Sequence, residues 1–173
     1  MGLDAMLWYR LGRKLQESGV PFAPRVLRKV IYLLHSSHVP IEAEIGEGTE
    51  LGYGGIGVVI HKESRIGRHC VISQQVTLGG RSGLEGAPIV GDYVRIGAGA
   101  KVLGHITIGD FAVIGANAVV VKDVPRGAVV AGVPAKVLRV EPDPALTYER
   151  EMGRPAPGYL HLEEGEAPPS VMH

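Results

Sequence analysis

Cysteine, aromatic residues and a dominant sign of charge are all scarce in these 173 residues. Cys70 stands alone, so no intrachain disulfide can form and nothing requires an oxidising compartment. A cytoplasmic location is the default expectation. Eighteen basic residues balance eighteen acidic ones, and the pI is near 7.1. A chain without a basic field gives no reason to expect nucleic acid as a partner. Long hydrophobic runs are missing too. Val30-Ile31-Tyr32-Leu33-Leu34 is far shorter than the roughly 20 residues a spanning helix needs, and the start has no basic region followed by an apolar core and a cleavage site. No stable membrane insertion is expected. Aromatics make up 5% of the chain, yet it holds 25 glycines and an ordinary hydrophobic fraction, a balance that suits compact turns repeated many times.

The repetition is visible. From Val90 an aliphatic residue returns every six positions, at Ile96, Val102, Ile108, Ile114 and Val120. Four residues after each comes a second apolar side chain, at Val94, Ala100, Ile106, Ala112, Ala118 and Val124. The phase extends upstream through Leu78, Ile72, Ile66 and Ile60, and reappears at Leu51 and Ile45. A period of six is neither the helical 3.6 nor continued strand alternation, so the chain must turn once per repeat and point one aliphatic residue inward each time. Three faces close a coil, and stacked coils satisfy their backbone groups on the coils above and below.

Residues 1–36 read as a small helical cap, with Leu3, Leu7, Leu11 and Leu15 on one face and Val26, Val30, Leu33 and Leu34 marking a second helix after Pro21 and Pro24. Its cations, Arg10, Arg13, Lys14, Arg25, Arg28 and Lys29, read as a solvated helical surface. Residues 37–140 carry the repeats, and 141–173 form a mainly acidic, Pro- and Glu-rich tail expected to be irregular. Two interruptions break the repeat, at Gly52–Gly57 and at Gly79–Pro88, and such breaks are where loops leave a scaffold and build sites. The second is expected to project.

Four segments carry a likeness: V-T-L-G-G at Val76–Gly80, I-G-A-G-A-K-V-L-G at Ile96–Gly104, I-G-A-N-A-V-V at Ile114–Val120, and A-G-V-P-A-K at Ala131–Lys136. With them the run from Ile45 to Val137 resembles the serine acetyltransferase branch of the hexapeptide acyltransferases. The resemblance implies a left-handed parallel β-helix, a homotrimer, and acetyl-CoA as co-substrate in the groove between adjacent subunits. Pairing of trimers through the cap is left open. Carried over to this sequence, the groove residues are Gly79, Gly80, Ala98, Ala116, Val133 and Pro134, with Lys122 and Lys136 as partners for phosphates. Small side chains suit an extended pantetheine arm lying along backbone.

The chain also departs from the family pattern. Gly52-Tyr53-Gly54 stands where a catalytic Asp-His pair is usual, Ala87 replaces a histidine before Pro88, and His38 replaces a third acid. A base must come from elsewhere, and a neutral imidazole suits the task near neutral pH. His35 falls on the cap, His161 and His173 in the tail, and His69 and His105 at outward corners. His61 follows the inward Ile60 in the slot that glycine fills after Leu78, Ile96 and Ile114, three repeats before Gly79. It is the candidate base, with backbone N–H groups near Gly79 or Gly80 stabilising the oxyanion. His38 or Tyr53 would orient it or hold the acceptor, and Arg81 would pair with an acceptor carboxylate.

The activity expected is acetyl transfer to a small-molecule hydroxyl, of serine in cysteine biosynthesis or of a sugar or polysaccharide precursor. A catalytically silent trimeric CoA-binding scaffold is the alternative from another class. No metal is expected, because a zinc site of the β-helical carbonic anhydrase kind would need a histidine five residues after His105, where Asp110 stands.

Overall fold

The computed structural model describes residues 4–83, 85–157 and 159. Leu3, Leu84, His161, His173 and the rest of the tail from Leu160 onward lie outside these residues.

Twelve short strands wind four turns of a parallel β-solenoid. The first turn holds β1 (Glu44–Ile45), β2 (Glu50–Leu51) and β3 (Val59–Ile60), and the second β4 (Arg65–Ile66), β5 (Val71–Ile72) and β6 (Thr77–Gly79). In the third are β7 (Ile89–Val90), β8 (Arg95–Ile96) and β9 (Lys101–Leu103), and in the fourth β10 (Thr107–Ile108), β11 (Val113–Ile114) and β12 (Val119–Val120). Strands of equal phase stack in register as three faces, β1-β4-β7-β10, β2-β5-β8-β11 and β3-β6-β9-β12. Each hexad aliphatic therefore sits on its counterpart one turn away, as Ile66 does on Val90 and Ile72 on Ile96.

Ile60, Ile72, Leu78, Ile96, Ile108 and Ile114 are fully buried in the resulting column, with Val94, Ala100, Ala112 and Ala118 filling the narrower corners. Burial of each large aliphatic contributes about 1.5–3 kcal/mol. The glycine after the aliphatic has a steric cause, since a Cβ on Gly97 would lie 2.6 Å from the Ala116 nitrogen. Cys70 joins the core, where burial pushes its thiol up to about 12.

Helices α1 (Ala5–Glu17) and α2 (Ala23–His35) close one end. Asp4 caps α1 by accepting from the Met6 N–H at 2.9 Å. The buried face of α1 is not the leucine stripe. Ala5, Met6, Tyr9 and Gly12 pack inward, whereas Leu7 and Leu11 are 57% and 41% exposed. Small residues let the helix approach the first turn closely, and a Cβ on Gly12 would lie 2.6 Å from Ile41 Cδ1. In α2 likewise Leu27, Ile31 and His35 are buried while Val26, Leu33 and Leu34 are exposed.

At the other end β13 (Ala128–Gly132) extends the β2-β5-β8-β11 sheet, and β14 (Ala135–Val140) folds back on it antiparallel. The stretch beyond Val140 is not irregular throughout, because Pro144–Met152 forms α3. Asp143 accepts from the Leu146 N–H at 3.0 Å, and Gly153 ends the helix at φ 62. Tyr148 and Ala145 then bury against Tyr93 and Phe111. Among the described residues no helix is long and apolar enough to cross a membrane.

Candidate active site

The turn that follows β3 carries His61. Its N–H donates to the Leu78 carbonyl at 2.8 Å, and the register pairs Ile60 with Leu78, so His61 lies one turn from Gly79 on the same edge. The ring is half-buried. Its Nδ1 accepts from the Glu63 N–H at 3.3 Å, which puts the proton of a neutral ring on Nε2.

Two cavities meet at this imidazole. One, of about 320 Å³, opens between the cap and the first turns and is lined by Arg28, His38, Glu42, His61, Lys62 and Gly79 among others. The other, of about 730 Å³, is open to the side and bordered by His61, Glu63, Gly80, Arg81, Glu85 and Gly86. His38 is fixed through its backbone, donating to the Val58 carbonyl and accepting from the Ile60 N–H, both at 2.8 Å. The interruption after β6 does leave the scaffold. Gly80, Arg81, Ser82, Gly83 and Glu85 are exposed, and the chain re-enters at the buried Ala87 and Pro88. On its return Gly86, at φ 93, presses on His105, whose ring a Cβ there would meet at 2.8 Å. His105 supports the loop and borders neither cavity.

Thus His61, His38, Gly79, Gly80 and Arg81 come together within one chain. Other expected site residues do not join them. Tyr53, at φ 53 and 80% exposed, occupies the turn between β2 and β3, at the opposite edge of the β3-β6-β9-β12 face. Ala98 and Ala116 stack along that opposite edge, with the Asn117 N–H on the Ala98 carbonyl at 2.8 Å. Ala131 continues the column over Gly115, and Val133, Pro134 and Lys136 extend it as exposed residues of the terminal hairpin. Lys122 follows β12 on the His61 edge. The small residues therefore flank one face along two separate edges.

Sequence reasoning missed Arg28, Glu42 and Lys62 as neighbours of His61. Arg28 Nη1 lies 3.8 Å from Glu42 Oε1, and Lys62 lies 3.7 Å from Glu63. Nothing in the hexad rhythm signals Arg28 and Glu42, because their approach depends on how α2 seats against the first turn, whereas Lys62 simply follows His61 in the chain. Among the described residues no three His, Cys, Asp or Glu side chains converge as a metal site would require.

Comparison with known proteins gives consistent matches. The profile of the bacterial transferase hexapeptide family (six repeats) matches residues 87–122. A serine acetyltransferase of Helicobacter pylori is 40% identical over 139 residues, covering 79% of this chain and 81% of that protein. One from Synechococcus elongatus is 38% identical over 148 residues, covering 82% of this chain and 60% of its own. The structure of a serine acetyltransferase in complex with coenzyme A from Brucella abortus superposes with a TM-score of 0.70 at 33% identity, over 78% of this chain and 54% of that one. Three of the curated relatives are spanned over only 51% to 60% of their length.

Proposed function

The chain belongs to the serine acetyltransferase family, and from that premise we propose that it moves the acetyl group of acetyl-CoA onto the hydroxyl of serine, with His61 as the base. The observation that carries this reading is the position of His61 where two cavities meet, one turn from Gly79. The acceptor oxygen attacks the thioester carbonyl carbon while its proton passes to the imidazole. The C–S bond then breaks, and the imidazolium returns the proton to the leaving thiolate. Backbone N–H groups near Gly79 or Gly80 stabilise the developing oxyanion. Accepting a proton at Nε2 requires the tautomer with Nδ1–H, so the weak 3.3 Å contact with Glu63 is lost, at a cost of about 1 kcal/mol. His38 holds the acceptor in the groove, and Arg81 lines the loop-side cavity together with the imidazole. Ala87, which has no ionisable group, leaves the position before Pro88 without an acid or base.

The pantetheine arm lies in the seam of a homotrimer. There the His61 edge of one subunit, with Gly79, Gly80 and Lys122, faces the edge of the next that carries Tyr53, Ala98, Ala116, Val133, Pro134 and Lys136. Two sets of small residues on opposite edges of one face support this assignment. Lys122 and Lys136 hold the phosphates. A free thiol at Cys70 suits a reducing cytoplasm.

Incubating the purified protein with acetyl-CoA and either serine or a panel of sugar hydroxyl acceptors, and following thiol release, tests the proposal. Release that depends on serine is expected. Release with sugars alone would transfer the reading to a polysaccharide-precursor acetyltransferase, and CoA binding without release would make the protein a silent scaffold.

A further inference from the structure

The small groove beside His61 carries a feature that acyl transfer does not use. Arg28, from α2, and Glu42, from the segment leading into β1, place opposite formal charges on one wall of it. Resting on the acetyl-transfer reading above, we propose that these two side chains form a clamp for the α-carboxylate and α-ammonium groups of the acceptor. The helical cap, and not the projecting loop, would then select a zwitterionic hydroxy amino acid.

At 3.8 Å the two groups form an ion pair beyond hydrogen-bond reach, with side-chain exposures of 42% and 53%. An ion pair this open is weak and is readily separated. A zwitterion compensates both members at once. Its carboxylate takes the planar fork of Arg28 in charge-assisted hydrogen bonds, and its ammonium group takes Glu42. A neutral sugar would separate the same pair and satisfy neither charge.

Lys62, at the same groove, lies 3.7 Å from Glu63, but as a compact point charge it lacks the planar fork with which Arg28 matches both oxygens of a carboxylate. Size argues in the same direction. A cavity of about 320 Å³ sits at the small end of ligand pockets, roughly 300–1,000 Å³, and suits a small amino acid with the tip of a thioester. A nucleotide-linked sugar would overfill it. With its charges held at the cap, serine directs a hydroxyl one carbon beyond the α-carbon toward His61 and Gly79 on the far wall.

Steady-state kinetics of the full chain with serine, serinamide, which lacks the carboxylate, and 3-hydroxypropionate, which lacks the ammonium group, test the clamp in wild type, Arg28→Gln, Glu42→Gln and Arg81→Gln. R28Q is expected to raise the KM for serine by about tenfold or more, while leaving the KM for serinamide and for acetyl-CoA within about twofold. E42Q should penalise serine and serinamide alike and spare 3-hydroxypropionate. Equal penalties on all three acceptors would reduce both residues to structural roles, and discrimination that moves with R81Q would give the carboxylate to the loop. Either result overturns the clamp. If wild type does not turn over serine at all, the enzymatic reading fails separately, and calorimetric titration of serine decides the clamp. Binding to wild type that R28Q abolishes would sustain it, and no binding to wild type would overturn it.

Discussion

Two corners of the same solenoid occupy equivalent places in the repeat and do opposite things. At the corner after β1, β4, β7 and β10 the left-handed position is filled by Gly48, His69, Tyr93 and Phe111, and Gly127 continues the column just before β13. His69, Tyr93 and Phe111 stack ring on ring at 5.1 and 5.0 Å, and Tyr148 and Tyr159 meet them edge-on at 5.0 and 4.5 Å. Helix α3 and the residues after it are tied over this stack by Arg95 to Glu151, by Arg154 to Glu50 at 2.8 Å, and by the Tyr159 hydroxyl to Asp110 at 3.0 Å. The corner after β3, β6, β9 and β12 carries His61, the projecting loop, His105 and Lys122, with open cavities and uncovered charges. The backbone physics is shared, and the difference lies in what fills the corner. Rings that stack exclude water and hold the turns together; an inserted loop breaks the stack and admits water, substrate and ionisable groups.

That contrast predicts a clean separation of effects. The largest belongs to His61→Ala, which should lower kcat by about a hundredfold or more while the thermal midpoint stays that of the wild type. A comparable loss of stability would show that the open corner also holds the fold together. Phe111→Ala should behave in the reverse way. It empties a ring slot that is 4% exposed, so chemical denaturation should show a loss of about 3 kcal/mol, with kcat/KM at low temperature within about twofold of wild type. An activity loss on the scale of H61A would tie the two corners together and break the comparison.

The smallest effect concerns Cys70, whose Sγ faces the Gly91 carbonyl at 3.1 Å behind the stacked corner. Its thiol is raised by burial from 9.0 to about 12. A group whose pKa rises on folding stabilises the fold fully below its unfolded value and loses that contribution as pH climbs toward the folded one. Stability should therefore fall between pH 9 and 12, by about 1 kcal/mol per pH unit for this group. Denaturation midpoints followed across that window should slope less in Cys70→Ala, and an unchanged slope would assign the alkaline loss to the buried tyrosines. Desolvation raises Tyr93, Tyr148 and Tyr159 in the same direction.

Much of this molecule could be read along the chain. Ile60 and Leu78 are three hexads apart, and that spacing alone places His61 one turn from Gly79. The excursion between Leu78 and Val90 announced a loop. Helix α3 carried legible signals in Asp143, Pro144 and Gly153, but a tail rich in Pro, Glu and Gly masked them. The leucine stripe of α1 misled, because periodicity finds an apolar face without saying whether that face or the small one through Ala5 and Gly12 meets the core.

By itself, then, the order of residues determined the triangular winding, the column of aliphatics and the stacking of each residue on its counterpart. These follow from local sterics and burial repeated at a constant interval. Tertiary structure alone decided the seating of the cap, the meeting of Arg28 and Glu42 beside His61, and the folding of α3 over the ring stack. Such contacts join segments far apart in the chain, and their geometry comes from the fit of side chains such as Gly12 against Ile41, which no period encodes.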